Sequence, residues 1–171
     1  MDAIKFDRLL LKTAFCCMAS DGDIDKREVA LIKKMCEQST LFYDFDFNKE
    51  INNLLSKINE RGSEFIEYYF SLLNNSQLSE NEELIIIEFA LNTINADDIV
   101  EYSEIKFFKA IRKCLNISDE IILHSFPEIE LYLEEDIDTG SELDKLVNSY
   151  LKTVDLPKFD QIQFDPLDEE R

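Results

Sequence analysis

The chain reads as all-α: one helical domain over residues 1-153, built from two pseudo-symmetric helix–acidic turn–helix units, with an extended acidic tail over 154-171. Three observations predict this. Only 3 glycines and 3 prolines punctuate 171 residues, too few for the many turns of an all-β protein. Apolar residues recur at three- and four-residue spacing through most of the chain. Helix-start signals stand immediately before several of these runs.

The first helix runs from Ile4 to Ala19, with Phe6, Leu9, Leu10, Thr13, Ala14, Cys17 and Met18 at helical spacing. An acidic turn, Asp21 to Asp25, separates it from a second helix over Lys26 to Gln38, whose apolar face is Val29, Ile32, Met35 and Cys36. "STLFYDFDF" is an aromatic connector. Two further helices, Asn48 to Asn59 and Ser63 to Leu73, are broken at Gly62. Ser79 followed three residues later by Glu82 is a capping-box signature and launches a strongly apolar helix to about Asn95. A helix from Tyr102 to Cys114 follows a second acidic turn. Ser118 is an N-cap for the next helix, which Pro127 interrupts, and "EIELYLEED" is a short helix or turn. Ser141 to Thr153 is the last helix, and the tail beyond it is extended, with Phe159, Ile162 and Phe164 as a docking segment.

Composition narrows the function classes. Lys and Arg number 18 against 37 Asp and Glu, a formal charge of -19, which repels nucleic-acid phosphates and anionic lipid and favours cations or basic protein surfaces. Direct nucleic-acid binding is therefore set aside. An acidic inhibitor or DNA mimic occupying a basic, nucleic-acid-binding partner is the alternative carried forward. Cys16, Cys17, Cys36 and Cys114 lie in apolar helical contexts without CxxC spacing, so they read as buried reduced thiols. "MDAIKFDRLLLK" holds acids and a Lys within its apolar stretch, unlike a signal peptide, and no run approaches the ~20 apolar residues of a membrane span. The expectation is a cytosolic protein. His124, the single histidine, reads as a partly buried helix residue, "EFIEYYFSLL" as core packing, and "EEDID" as a solvated charge run.

The most informative feature is internal. "AFCCMASDGDIDKREVALIKKM" from Ala14 aligns without gaps on "ALNTINADDIVEYSEIKFFKAI" from Ala90. Ala14 matches Ala90, Asp21 matches Asp97, Glu28 matches Glu104 and Lys33 matches Lys109, a constant offset of 76 residues, while Ile24/Val100 and Asp25/Glu101 keep their chemical type. The repeat cores span 4-38 and 80-115.

The two turns, "ASDGDIDKRE" at Ala19 to Glu28 and "NADDIVEYSE" at Asn95 to Glu104, resemble the TerB-like (tellurite-resistance B) family. That family carries an A-D-G-x-(I/V)-x-x-x-E turn twice in an all-helical domain; here Ser20 stands where it often has Ala, and Asp98 where it often has Gly. The resemblance covers about residues 4 to 125. It implies a helical module linked to stress or defence systems, not established as an enzyme, with an acidic cluster proposed to hold divalent metal.

Three readings of the acidic turn compete. An EF-hand beginning at Asp21 needs Gly at loop position 6 and Glu at position 12, but Lys26 and Ile32 stand there, so that reading fails. Capping on a solvated acidic face accounts for Gly22 as a left-handed helix terminator and for Asp25 and Glu28 at the next helix start. It leaves Asp21 at an unfavourable helix end, Asp23 without a capping role, and Glu101 as a poor cap where Asp25 was a good one. A hard-cation site built from Asp21, Asp25, Glu28, Asp97, Glu101 and Glu104 suits Ca²⁺ or Mg²⁺, since oxygen ligands alone are at hand. Capping and cation binding both stay open at this point. No nucleophile, phosphate loop or cofactor motif accompanies the acids, so the expectation is a non-enzymatic acidic module that docks on a protein partner with a basic or apolar groove.

Overall fold

The computed structural model describes residues 6–20, 22, 24, 26–39, 42, 46–96, 102–133 and 159, with the side chains at 102 and 131 left aside. Seven α-helices follow in order: α1 (Phe6–Ala19), α2 (Lys26–Gln38), α3 (Phe47–Arg61), α4 (Ser63–Asn74), α5 (Glu80–Ile94), α6 (Tyr102–Cys114) and α7 (Asp119–Ser125), then a 3-10 segment at Pro127–Leu133. Among the described residues there is no strand. The all-α expectation therefore holds for this part of the chain. The helix expected at 141–153, the run "EEDID" and the tail residues Ile162 and Phe164 lie outside the described residues.

The organising element is α1. Every residue from Leu9 to Ser20 is buried except Lys12, which is half-exposed. A helix buried nearly all round must sit at the centre of the domain, and α1 packs against α2, α3, α4, α5 and α6, most extensively α5. Sequence periodicity marked only one face of it, whereas Leu11, Phe15, Cys16 and Ala19 on the other sides are buried as well. A bond between Thr13 Oγ1 and the Tyr69 hydroxyl, 2.7 Å, ties α1 to α4 in the interior. Tyr69, Phe70 and Phe107 then link α4 to α6, with ring centroids 5.0 to 6.2 Å apart.

Local chemistry explains the boundaries. Asp46 accepts the Lys49 amide and starts α3 one residue before the expected Asn48, drawing Phe47 into the helix and the core. Gly62, at φ 60°, ends α3 and begins α4, and its amide donates to the Ile58 carbonyl. Both halves of the Ser79/Glu82 capping box are formed, and Ser118 caps α7 by accepting the Ile121 amide. The loop between α6 and α7 is held by Glu83 of α5, which is buried and accepts the amides of Asn116 and Ile117. His124, expected to be partly buried, is exposed: Ile122 is the residue of α7 that turns fully inward. The four cysteines are free and buried.

One residue of the tail is described. Phe159 packs against the core, and the Asn59 side chain of α3 clamps its backbone: Nδ2 donates to the Phe159 carbonyl and the Phe159 amide donates to Oδ1, both at 2.7 Å. No described helix is long and apolar enough to cross a membrane.

Candidate functional site

The first turn begins where α1 stops. The Ser20 hydroxyl donates to the Cys17 carbonyl at 2.7 Å, and the Gly22 amide donates to the Ala19 carbonyl at 3.0 Å. Gly22 has φ 85°, the positive value expected of a left-handed helix terminator. Ser20 is sealed from solvent, and a hydroxyl fits there because its proton satisfies a carbonyl freed at the helix end. Ile24 packs against the core.

Seven residues from Asp21, Glu28 lies in the first turn of α2, and its counterpart Glu104 lies in the first turn of α6. Each is only 1% exposed. This corrects the solvated-face half of the capping reading, which places such acids in water. Charged groups are among the residues least often buried, because desolvation costs several kcal/mol per ion unless compensated. The helix N-termini supply part of that compensation through their positive dipole ends.

Both carboxylates act electrostatically on one thiol, Cys17. Burial pushes the Cys17 thiol well above its ordinary value, and the neighbouring Cys16 and the negative charges of Glu104 and Glu28 push it further in the same direction. Cys17 sits on the last turn of α1 and is fully buried. Tyr132, whose ring meets Phe108 edge-on at 5.9 Å, closes the same region, and its phenol is raised first by burial and then by Glu104. Glu104 thus acts on groups of both α1 and the 3-10 segment, and Glu28 acts on the same thiol of α1.

Chemically the two carboxylates offer hard oxygen donors. Cys17 stays a thiol at neutral pH, first because burial disfavours the thiolate and then because Cys16, Glu104 and Glu28 act in the same direction, where a reactive thiolate needs positive neighbours. Nucleophilic chemistry at Cys17 and soft-metal ligation by it are both disfavoured. Of the six residues expected to hold a cation, Glu28 and Glu104 are both buried and both act on the Cys17 thiol, while Asp21, Asp25, Asp97 and Glu101 lie outside the described residues. Among the described residues no group of three or more His, Cys, Asp or Glu forms a metal-binding cluster. Sequence reasoning marked Glu28 and Glu104 but not Cys17 or Tyr132 as their neighbours. Cys17 was legible in principle, since it lies one helical turn before the acidic turn on the apolar face. Comparison with family models, with characterised proteins and with solved structures yields no match to the chain.

Proposed function

We propose that the chain is a non-enzymatic, TerB-like helical module that holds a divalent cation at its duplicated acidic turn and docks on a protein partner through its acidic surface. The observation that carries this reading is the burial of Glu28 and Glu104, equivalent under the 76-residue offset, with both acting electrostatically on the Cys17 thiol. Two like charges held in one low-dielectric neighbourhood repel, and a divalent cation offsets both the repulsion and the desolvation. Asp21, Asp25, Glu28, Asp97, Glu101 and Glu104 would hold it, and an all-oxygen donor set suits Ca²⁺ or Mg²⁺. The cation would supply charge neutralisation and lock the two junctions together.

The same reading takes α1–α2 and α5–α6 as two copies of one unit about a pseudo-two-fold axis. It is supported by the bounds of the second helices: Tyr102 and Cys114 bound α6 as Lys26 and Gln38 bound α2, each pair at the offset of the sequence repeat. Thermal denaturation with and without Ca²⁺ or Mg²⁺ tests the proposal. A cation at about 100 times its Kd stabilises by ~2.7 kcal/mol, raising Tm by roughly 5–10 °C. Asp21→Asn combined with Asp97→Asn removes the rise, and the absence of any cation-dependent shift at millimolar concentration sinks the reading.

A further inference from the structure

A pocket of about 190 Å³ opens between α1, α3 and α4, and neither Glu28 nor Glu104 lines it. Its lining is Lys12, Lys57, Arg61, Phe65, Tyr68 and Tyr69. In a chain with twice as many acids as bases, three cations and no acid converge on one small concavity. Lys57 and Arg61, four residues apart on α3, share a helix face. Lys12 reaches the same space as the one residue of α1 between Leu9 and Ser20 that is not buried, and its Nζ lies 5.7 Å from the centroid of the Tyr68 ring. Among the described residues, none of the three cations forms an ion pair. Burial first, and then the nearby Lys57, lower the Lys12 pKa.

Phe65 and Tyr69 are buried and make a firm apolar floor, while Tyr68 is 51% exposed at the rim and is the one large apolar side chain of the described residues left so open. A guanidinium fork and two ammonium groups around a small hollow match a compact, multiply charged anion better than a single carboxylate. An extended acidic peptide would need a groove or a sheet edge, and a pocket of this size offers neither.

We propose that this pocket binds a phosphoryl group, a compact dianion, with Lys57 and Arg61 gripping it from α3 and Lys12 from α1. The Tyr68 ring packs against the planar or apolar group that carries the phosphoryl. The cation centre described above plays no part in this site, and neither proposal depends on the other.

Calorimetric titration of the full chain with inorganic phosphate, phenyl phosphate and tetraglutamate tests it. Phenyl phosphate binds saturably and more tightly than inorganic phosphate. Lys57→Met with Arg61→Met, both at exposed positions, leaves the circular dichroism spectrum unchanged and weakens both phosphates roughly tenfold or more. Tyr68→Ala brings phenyl phosphate down to the affinity of inorganic phosphate. The proposal is overturned if neither phosphate binds saturably at millimolar concentration, or if the double variant binds as the parent does. Tetraglutamate binding more tightly than either phosphate, and losing that affinity in the double variant, overturns it in favour of an acidic peptide. Equal affinity of the two phosphates for the parent overturns the role given to Tyr68.

Discussion

Glu28 and Glu104 stand at the same place in two helices, the first turn of α2 and of α6, and both act on the thiol of Cys17 at the end of the central helix. The relationship connects residues 76 positions apart through a third that belongs to neither acidic turn. Under the proposed repeat, each copy would contribute one buried carboxylate that acts on this thiol. The energetic demands of the buried interior, and of the polar contacts that frame it, lead to measurable expectations.

Stability should fall steeply in alkali. All four thiols are held above their ordinary value of 9.0, with Cys36 and Cys114 pushed up to about 12 by burial first of all. A raised folded pKa contributes stability that is complete below pH 9 and is lost as pH climbs towards the folded value, because the unfolded thiols ionise first. Each thiol costs ~1.4 kcal/mol per pH unit in that window, so urea denaturation at pH 10 shows about 5 kcal/mol less stability than at pH 8. Cys36→Ala makes the fall shallower by about one thiol's share. A flat profile to pH 10 contradicts the burial of these groups.

Glu83 should matter far more than its place in an acidic first turn suggests. Its carboxylate accepts the Asn116 amide at 3.1 Å and the Ile117 amide at 2.7 Å, and Ile117 is buried. Glu83→Ala strands a buried donor and costs ~2–4 kcal/mol in chemical denaturation. Glu83→Gln keeps one acceptor oxygen and costs less. Equal losses in the two variants contradict the capping role.

The Thr13–Tyr69 bond has a direction that can be tested. Thr13 already donates to the Leu9 carbonyl at 2.9 Å, so the Tyr69 hydroxyl is the donor in their shared 2.7 Å contact. Thr13→Val leaves that buried phenolic proton without an acceptor and costs ~2–3 kcal/mol, whereas Tyr69→Phe removes the proton itself and costs ~1 kcal/mol. Combining the two recovers most of the difference in a double-mutant cycle. The reverse order of costs contradicts the assignment.

The Asn59 clamp predicts a local effect. Asn59→Ala removes both 2.7 Å bonds to the Phe159 backbone. Hydrogen exchange at the Phe159 amide accelerates at least tenfold, while exchange in the buried centre of α1 stays unchanged. Acceleration throughout α1 means instead that the tail contact is integral to global stability.

Much of the helical framework was legible because local chemistry decided it. The bounds of α2 and α6, the Ser79 box, the Ser118 cap and the breaks at Gly22 and Gly62 rest on residues within four positions of one another. Asp46 shifted the start of α3 by one residue because an N-cap bond competes with the aromatic character of the connector. The fate of individual polar residues was less legible. Glu28 and Glu104 read equally well as solvated caps, since nothing local to a first turn tells which neighbours will cover it. Glu83, Asn59 and the three cations of the pocket were missed for the same reason: their partners lie on other helices. His124 came out exposed because α7 is short and commits only Ile122 fully to the core.

The central claim, that the two acidic turns act as one cation site, is tested most directly by a double-mutant cycle on the cation-induced rise in Tm. Glu28→Gln, Glu104→Gln and the double variant are compared with the parent at the same Ca²⁺ or Mg²⁺ concentration. One shared site predicts that either single change removes most of the rise and that the double variant loses little more. Two losses that add, each single change removing about half, describe two separate sites, and a rise untouched by either describes none at these residues.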